Sequence, residues 1–143
     1  FALAAGEPLR CLGVGKIMAR ILIVDDKPAC RELGRIMLES FGCEVLEASS
    51  GCEAVAAALQ VVPDLVLLDL HMPGLDGFAT LAEFRKEPEL AGTPVVALTA
   101  SAMQGDDVRA LEAGFSGYIT KPVLLHELRS QVLSFLQAGA VDR

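Results

Sequence analysis

Short unbroken apolar runs punctuate this chain: ILIV at 21–24, LVLL at 65–68, VVAL at 95–98 and YIT at 118–120. Runs of this length, bounded by turn formers, predict strands buried on both faces, as in a parallel sheet. EVLEA at 44–48 alternates instead and predicts a second, edge-like strand. The segments between carry helical spacing. Pro28 suits the first turn of a helix, Leu33, Ile36 and Met37 are its predicted apolar stripe, and Gly42 marks its end. Ser50 and Glu53 form a capping box that opens a helix to about Gln60. Pro63-Asp64 turns the chain into the next strand, and the Met72 to Gly77 stretch is turn chemistry. Helices are then predicted from about Phe78 to Lys86, with Leu81, Phe84 and Arg85 on adjacent turns, and from about Met103 to Ala113, ending at Gly114. Pro88 and Gly92-Thr93-Pro94 separate the first of these from the fourth strand. Leu125, Leu128, Val132, Phe135 and Leu136 define the last amphipathic helix, to about Gln137.

Five strands alternating with five helices imply right-handed βαβ crossovers and a doubly wound α/β fold. The length, 143 residues, suits one domain with a full core. Hydrophobic residues make up 52% of the chain and aromatics 5%, so that core must be aliphatic. No apolar run reaches membrane-spanning length, so no membrane partner is expected. The net charge is −7; Arg10 and Lys16 against Glu7 make residues 1–17 locally +1, leaving −8 on the remainder. An acidic body argues against direct nucleic-acid binding, which needs Lys and Arg to neutralise phosphates. Cys11, Cys30, Cys43 and Cys52 show neither C-x-x-C nor zinc spacing, and predict reduced, partly buried thiols in a cytoplasmic protein. Residues 1–17 fall outside the pattern and lack the features of a signal peptide. They are expected to form a flexible upstream extension, with Met18 as a natural start and residues 18–143 as the domain.

Four of the apolar runs end on residues that phosphoryl chemistry uses. Asp25-Asp26, Asp69, Thr99 and Lys121 each lie at or just beyond a predicted strand's carboxyl end, where open α/β sheets bind ligands. Clustered carboxylates repel, and a hard cation such as Mg²⁺, which prefers oxygen ligands, relieves that repulsion. A carboxylate can also be a nucleophile toward phosphorus, with cations and hydroxyls stabilising the equatorial oxygens. Taken singly, each residue has an ordinary reading: a helix cap for Asp25-Asp26, a satisfied hydroxyl for Thr99, a solvated loop for Lys121. The conjunction carries the inference.

The motifs ILIVDD, DLVLLDLHMPGLDGF, PVVALTA and GYITKP, in that order, closely resemble the receiver domain of two-component response regulators over about residues 19–138. The resemblance implies a flavodoxin-like sheet in the order 2-1-3-4-5. It implies that Asp69 accepts a phosphoryl group from a sensor histidine kinase or a histidine phosphotransfer protein. Asp25, Asp26 and Asp69, with the main-chain carbonyl of His71, would hold Mg²⁺. Thr99 and Lys121 would contact the phosphoryl group, and Thr99 and Tyr118 would form the switch that alters the surface for a downstream protein. It leaves a homodimer open and implies a Lys121-Pro122 peptide that the family usually holds cis. Lys27 departs from the pattern, since an acidic residue is frequent there. His71 and Ser101 occupy positions that tune phosphoryl lifetime; His126 reads as a surface residue.

Separate substrate turnover is not expected. A haloacid-dehalogenase-type phosphatase uses similar residues but places its nucleophile on the first strand in Asp-x-Asp, whereas the acids here are adjacent. A receiver excised from a hybrid histidine kinase or longer regulator, or one that signals without phosphate, is the remaining alternative.

Overall fold

The computed structural model describes residues 11–12, 16–17, 19–72, 74, 76–99 and 105–141. The predicted strands form one parallel sheet: β1 (Arg20–Val24), β2 (Glu44–Ala48), β3 (Leu65–Asp69), β4 (Val95–Thr99) and β5 (Gly117–Thr120), in the order 2-1-3-4-5. Every residue of β3 and β4 is buried, as the unbroken apolar runs require, whereas edge strand β2 is buried only at Ala48. Helices α1 (Pro28–Ser40) and α5 (Leu125–Val141) cover one face, and α2 (Gly51–Gln60), α3 (Gly77–Lys86) and α4 (Asp106–Ala113) the other. Two aliphatic layers result. One joins Ile21, Ile23, Leu65 and Leu67 to Leu38 of α1 and Leu128 of α5; the other joins Leu22, Val66 and Leu68 to Ala54, Leu81 and Ala110. Fully burying one such Leu or Ile stabilises by roughly 1.5–3 kcal/mol.

Local sequence explains the helix ends. Pro28 occupies the first turn of α1, and Gly42 beyond it takes φ +92°, the left-handed region. The Ser50 side chain accepts the Glu53 N–H at 3.1 Å, while the Glu53 carboxylate reaches back to the Ser49 N–H at 2.8 Å, one residue earlier than the usual box. Arg85, on α3, donates to the carbonyls of Leu90, Ala91 and Thr93, fastening the turn that leads into β4.

Several details differ from or add to the expectations. Leu33 and Ile36 are about half exposed, so they are not the buried stripe of α1. The inward face instead runs through Gly34, Leu38 and, just past the helix, Phe41, because Gly34 lies so close to Ile23 that a Cβ would overlap it. Within the upstream segment, Cys11–Leu12 pairs antiparallel with Lys16–Ile17; the proposed start at Met18 lies outside the described residues. Cys30 and Cys52 are exposed rather than partly buried; among the described cysteine side chains only Cys43 is buried, its thiol pushed up to about 12 by burial and by the charge of Asp64. Helix α5 continues to Val141, beyond the expected end. No helix among the described residues is long and apolar enough to cross a membrane.

The turn after β3 depends on a close approach. A Cβ on Gly77 would lie 2.6 Å from the carbonyl oxygen of Asp69 and 2.7 Å from the Cα of Leu70, both backbone atoms that cannot move aside. Gly77→Ala is therefore expected to destabilise by about 1–3 kcal/mol, the usual cost of overpacking. Urea denaturation measures this, and an unchanged midpoint would contradict the close approach.

Candidate functional site at the carboxyl edge of the sheet

Strands β1 and β3 are hydrogen-bonded neighbours, with Val24 opposite Leu68, so the residues that follow them converge. Carboxylate oxygens of Asp25, Asp26 and Asp69 all lie within 4.8 Å of one another. Asp25 and Asp69 are buried, at 1% and 4% exposure. At about 4 Å, two carboxylates repel by roughly 4 kcal/mol at an effective dielectric of 20, so the cluster needs compensation.

Among the described residues, one ammonium pairs with this cluster. Lys121, carried over from β5, donates to Asp25 Oδ2 at 2.9 Å and lies 3.6 Å from Asp69 Oδ2. Its main-chain N–H bonds the Thr99 carbonyl at 2.7 Å, continuing the ladder between β4 and β5 past the last strand residue. Burial alone would lower the Lys121 pKa, but the hydrogen bond to Asp25 and the charges of Asp69 and Asp25 raise it overall, so the ammonium stays charged. Backbone amides do the rest. The Lys27 N–H donates to Asp25 Oδ1 at 3.0 Å, and the His71 N–H to Asp69 Oδ1 at 3.2 Å.

Asp26 is the exception. Its Oδ1 is buried with no hydrogen-bond partner, and a buried carboxylate oxygen left so is costly. This orphaned oxygen, pointing to a ligand among three carboxylates, fits a hard divalent cation that favours oxygen donors. Both oxygens of Asp25 are already engaged, which leaves Asp26 as the carboxylate freest to bind directly.

The other sequence-derived residues fall around this cluster. Thr99 ends β4 and is fully buried, one residue past the Leu98 that faces Asp69 in the register. Tyr118 sits on β5, half-buried, packed against the apolar layer under α2, α3 and α4. The His71 residue is exposed while its amide serves Asp69. His126 is exposed on the first turn of α5, and the Lys121-Pro122 peptide is cis. Ser101 lies outside the described residues. Two contributors escaped the sequence reading: Arg31 of α1, whose Nη1 donates to the Asp25 carbonyl at 2.8 Å, and Glu47 of β2, which holds the Arg31 Nε at 3.1 Å. No motif flags either one, because the contact is to backbone and crosses between elements.

Burial, together with the charges of Asp25 and Asp26, raises the Asp69 pKa above its ordinary 3.8, against the opposing His71 amide and Lys121. The folded state therefore holds the Asp69 proton more tightly than the unfolded state does. Stability contributed by this group is full below pH 3.8 and is lost as pH rises through the folded-state pKa. In metal-free buffer at neutral pH, Asp69→Asn is expected to melt a few degrees above wild type, with the difference vanishing in acid. An equal or lower midpoint at neutral pH would show that Lys121 and the amide outweigh burial.

Known proteins share this chain's sequence pattern and its fold. The response regulator receiver domain profile matches residues 21–133. The protein PilH of Pseudomonas aeruginosa is 43% identical over 106 residues, covering 74% of this chain and 88% of PilH. The DNA-binding dual master transcriptional regulator RpaA of Synechocystis sp. is 38% identical over 120 residues; the match takes in 84% of this chain but spans only 50% of RpaA. Among solved structures, the Vibrio cholerae chemotaxis protein CheY4 superposes with a TM-score of 0.78 at 28% identity, covering 82% of this chain and 98% of that one.

Proposed function

The chain belongs to the response regulator receiver domain family of two-component systems, and we propose that it accepts a phosphoryl group on Asp69 in a Mg²⁺-dependent step. The observation that carries this reading is the buried Asp69 within 4.8 Å of two further carboxylates, with one ammonium 3.6 Å away. Asp25, Asp26, Asp69 and the main-chain carbonyl of His71 would hold the cation, which supplies charge neutralisation for the phosphoryl oxygens.

An Asp69 carboxylate oxygen attacks the phosphorus of a phosphohistidine, on a sensor histidine kinase or a phosphotransfer protein. The new O–P bond forms as the P–N bond breaks, and the imidazole nitrogen leaves with the bonding electrons and takes up a proton. Lys121 exchanges part of its pairing with Asp25 for a phosphoryl oxygen, and the Thr99 hydroxyl takes another. Residue Thr99 then draws Tyr118 inward, which alters the face formed by α4 and β5 for a downstream protein. No separate substrate is turned over; loss of the phosphoryl to water resets the domain. A second reading, a receiver that is one module of a longer regulator, is favoured by the half-length match to RpaA. On either reading, residues 18–143 form the receiver and 1–17 an upstream extension.

Incubation with acetyl phosphate tests the chemistry. Intact mass is expected to rise by one phosphoryl group with Mg²⁺, and to stay unchanged with chelator or in Asp69→Ala. A phosphoryl gain that persists in Asp69→Ala would place the acceptor elsewhere. The switch has its own reporter, since Tyr118 is the only tyrosine and the chain has no tryptophan. Phosphorylation is expected to change intrinsic fluorescence in wild type, whereas Thr99→Ala is expected to accept phosphate with that change largely lost. An undiminished change would uncouple Thr99 from Tyr118.

A further inference from the structure

We propose that Arg31, anchored by Glu47, is a positioning residue that aims Asp26 at the divalent cation. The inference rests on the metal site described above and adds to it a group outside the acidic cluster. The Asp26 carboxylate has no hydrogen bond on its buried oxygen to orient it, so its direction follows from the backbone of the turn that carries it. That turn is tied at three points. The Asp25 N–H bonds the Ala48 carbonyl of β2 at 3.2 Å, the Lys27 N–H bonds the Asp25 side chain at 3.0 Å, and the Arg31 guanidinium holds the Asp25 carbonyl at 2.8 Å. The Asp25 carbonyl belongs to the peptide that joins Asp25 to Asp26, so Arg31 fixes the rotation of the plane from which Asp26 departs.

Arg31 is itself held. Its Nε meets Glu47 Oε1 at 3.1 Å, while Arg35 Nε meets Glu47 Oε2 at 3.2 Å, so both oxygens of one carboxylate on β2 are used by two turns of α1. The planar guanidinium reaches carboxylate and carbonyl together, which a lysine cannot do. Groups that orient metal ligands from outside the coordination sphere are typically worth about 10–100-fold in metal affinity.

Calorimetric titration with Mg²⁺ of the full chain, as wild type and as Arg31→Met, Arg31→Lys, Glu47→Gln and Arg35→Met, tests this. Melting in chelator is recorded beside each titration. Arg31→Met is expected to bind Mg²⁺ about tenfold more weakly, Arg31→Lys and Glu47→Gln to fall between it and wild type, and Arg35→Met to bind as wild type. Arg35→Met removes the neighbouring ion pairs without touching the site backbone, so equal weakening there would mean a general loss of stability and overturn the proposal. Wild-type affinity in Arg31→Met would overturn it alone; if Arg31→Met does not fold, wild-type affinity in Glu47→Gln would do the same. Failure of the wild-type protein to take up Mg²⁺ would overturn the metal site and the role of Arg31 with it.

Discussion

Three carboxylates share one ammonium at the carboxyl edge of this sheet, and that imbalance organises the molecule. Lys121 lies between Asp25 and Asp69 and cannot neutralise both, while Asp26 keeps a buried oxygen with no partner. Burial intensifies each of these charges by removing water. The fold tolerates the repulsion because backbone amides and the ends of β1 and β3 hold the carboxylates from behind. A divalent cation held among these carboxylates would relieve the same repulsion.

Much of this was legible in the sequence for a simple reason. Strands buried on both faces must be apolar throughout, so the first polar residue after each run marks a strand end, and in parallel strands those ends share one edge. Asp25, Asp26, Asp69 and Lys121 could therefore be placed together before any geometry was known. The helix caps were equally readable, because Pro28, Ser50 with Glu53, and Gly42 act through local backbone chemistry.

What escaped depended on contacts between elements. The inward face of α1 was misassigned because its closest approach to the sheet is made by a residue without a side chain. Gly34 lets the helix sit against Ile23, which rotates Leu33 and Ile36 outward and leaves Leu38 to fill the layer. Arg31 and Glu47 were invisible for a related reason. Their partners are a carbonyl oxygen and each other, sixteen residues apart, and a backbone acceptor carries no signature in a list of side chains.

The burial of β3 on both faces bears on how its alignment is chosen. In a half-exposed strand, a shift of one residue would drive apolar side chains into water and be rejected at once. Here either face accepts Leu65, Val66, Leu67 or Leu68, so alternation alone cannot reject the slipped pairing. The polar bookends do so instead: Asp64 grips the main chain of Arg20 at one end, through its side chain at 2.8 Å and its N–H at 2.7 Å, and Asp69 stops the strand at the other. The acidic residue at the carboxyl end of β3 thus also closes the frame in which the chain is read into the sheet.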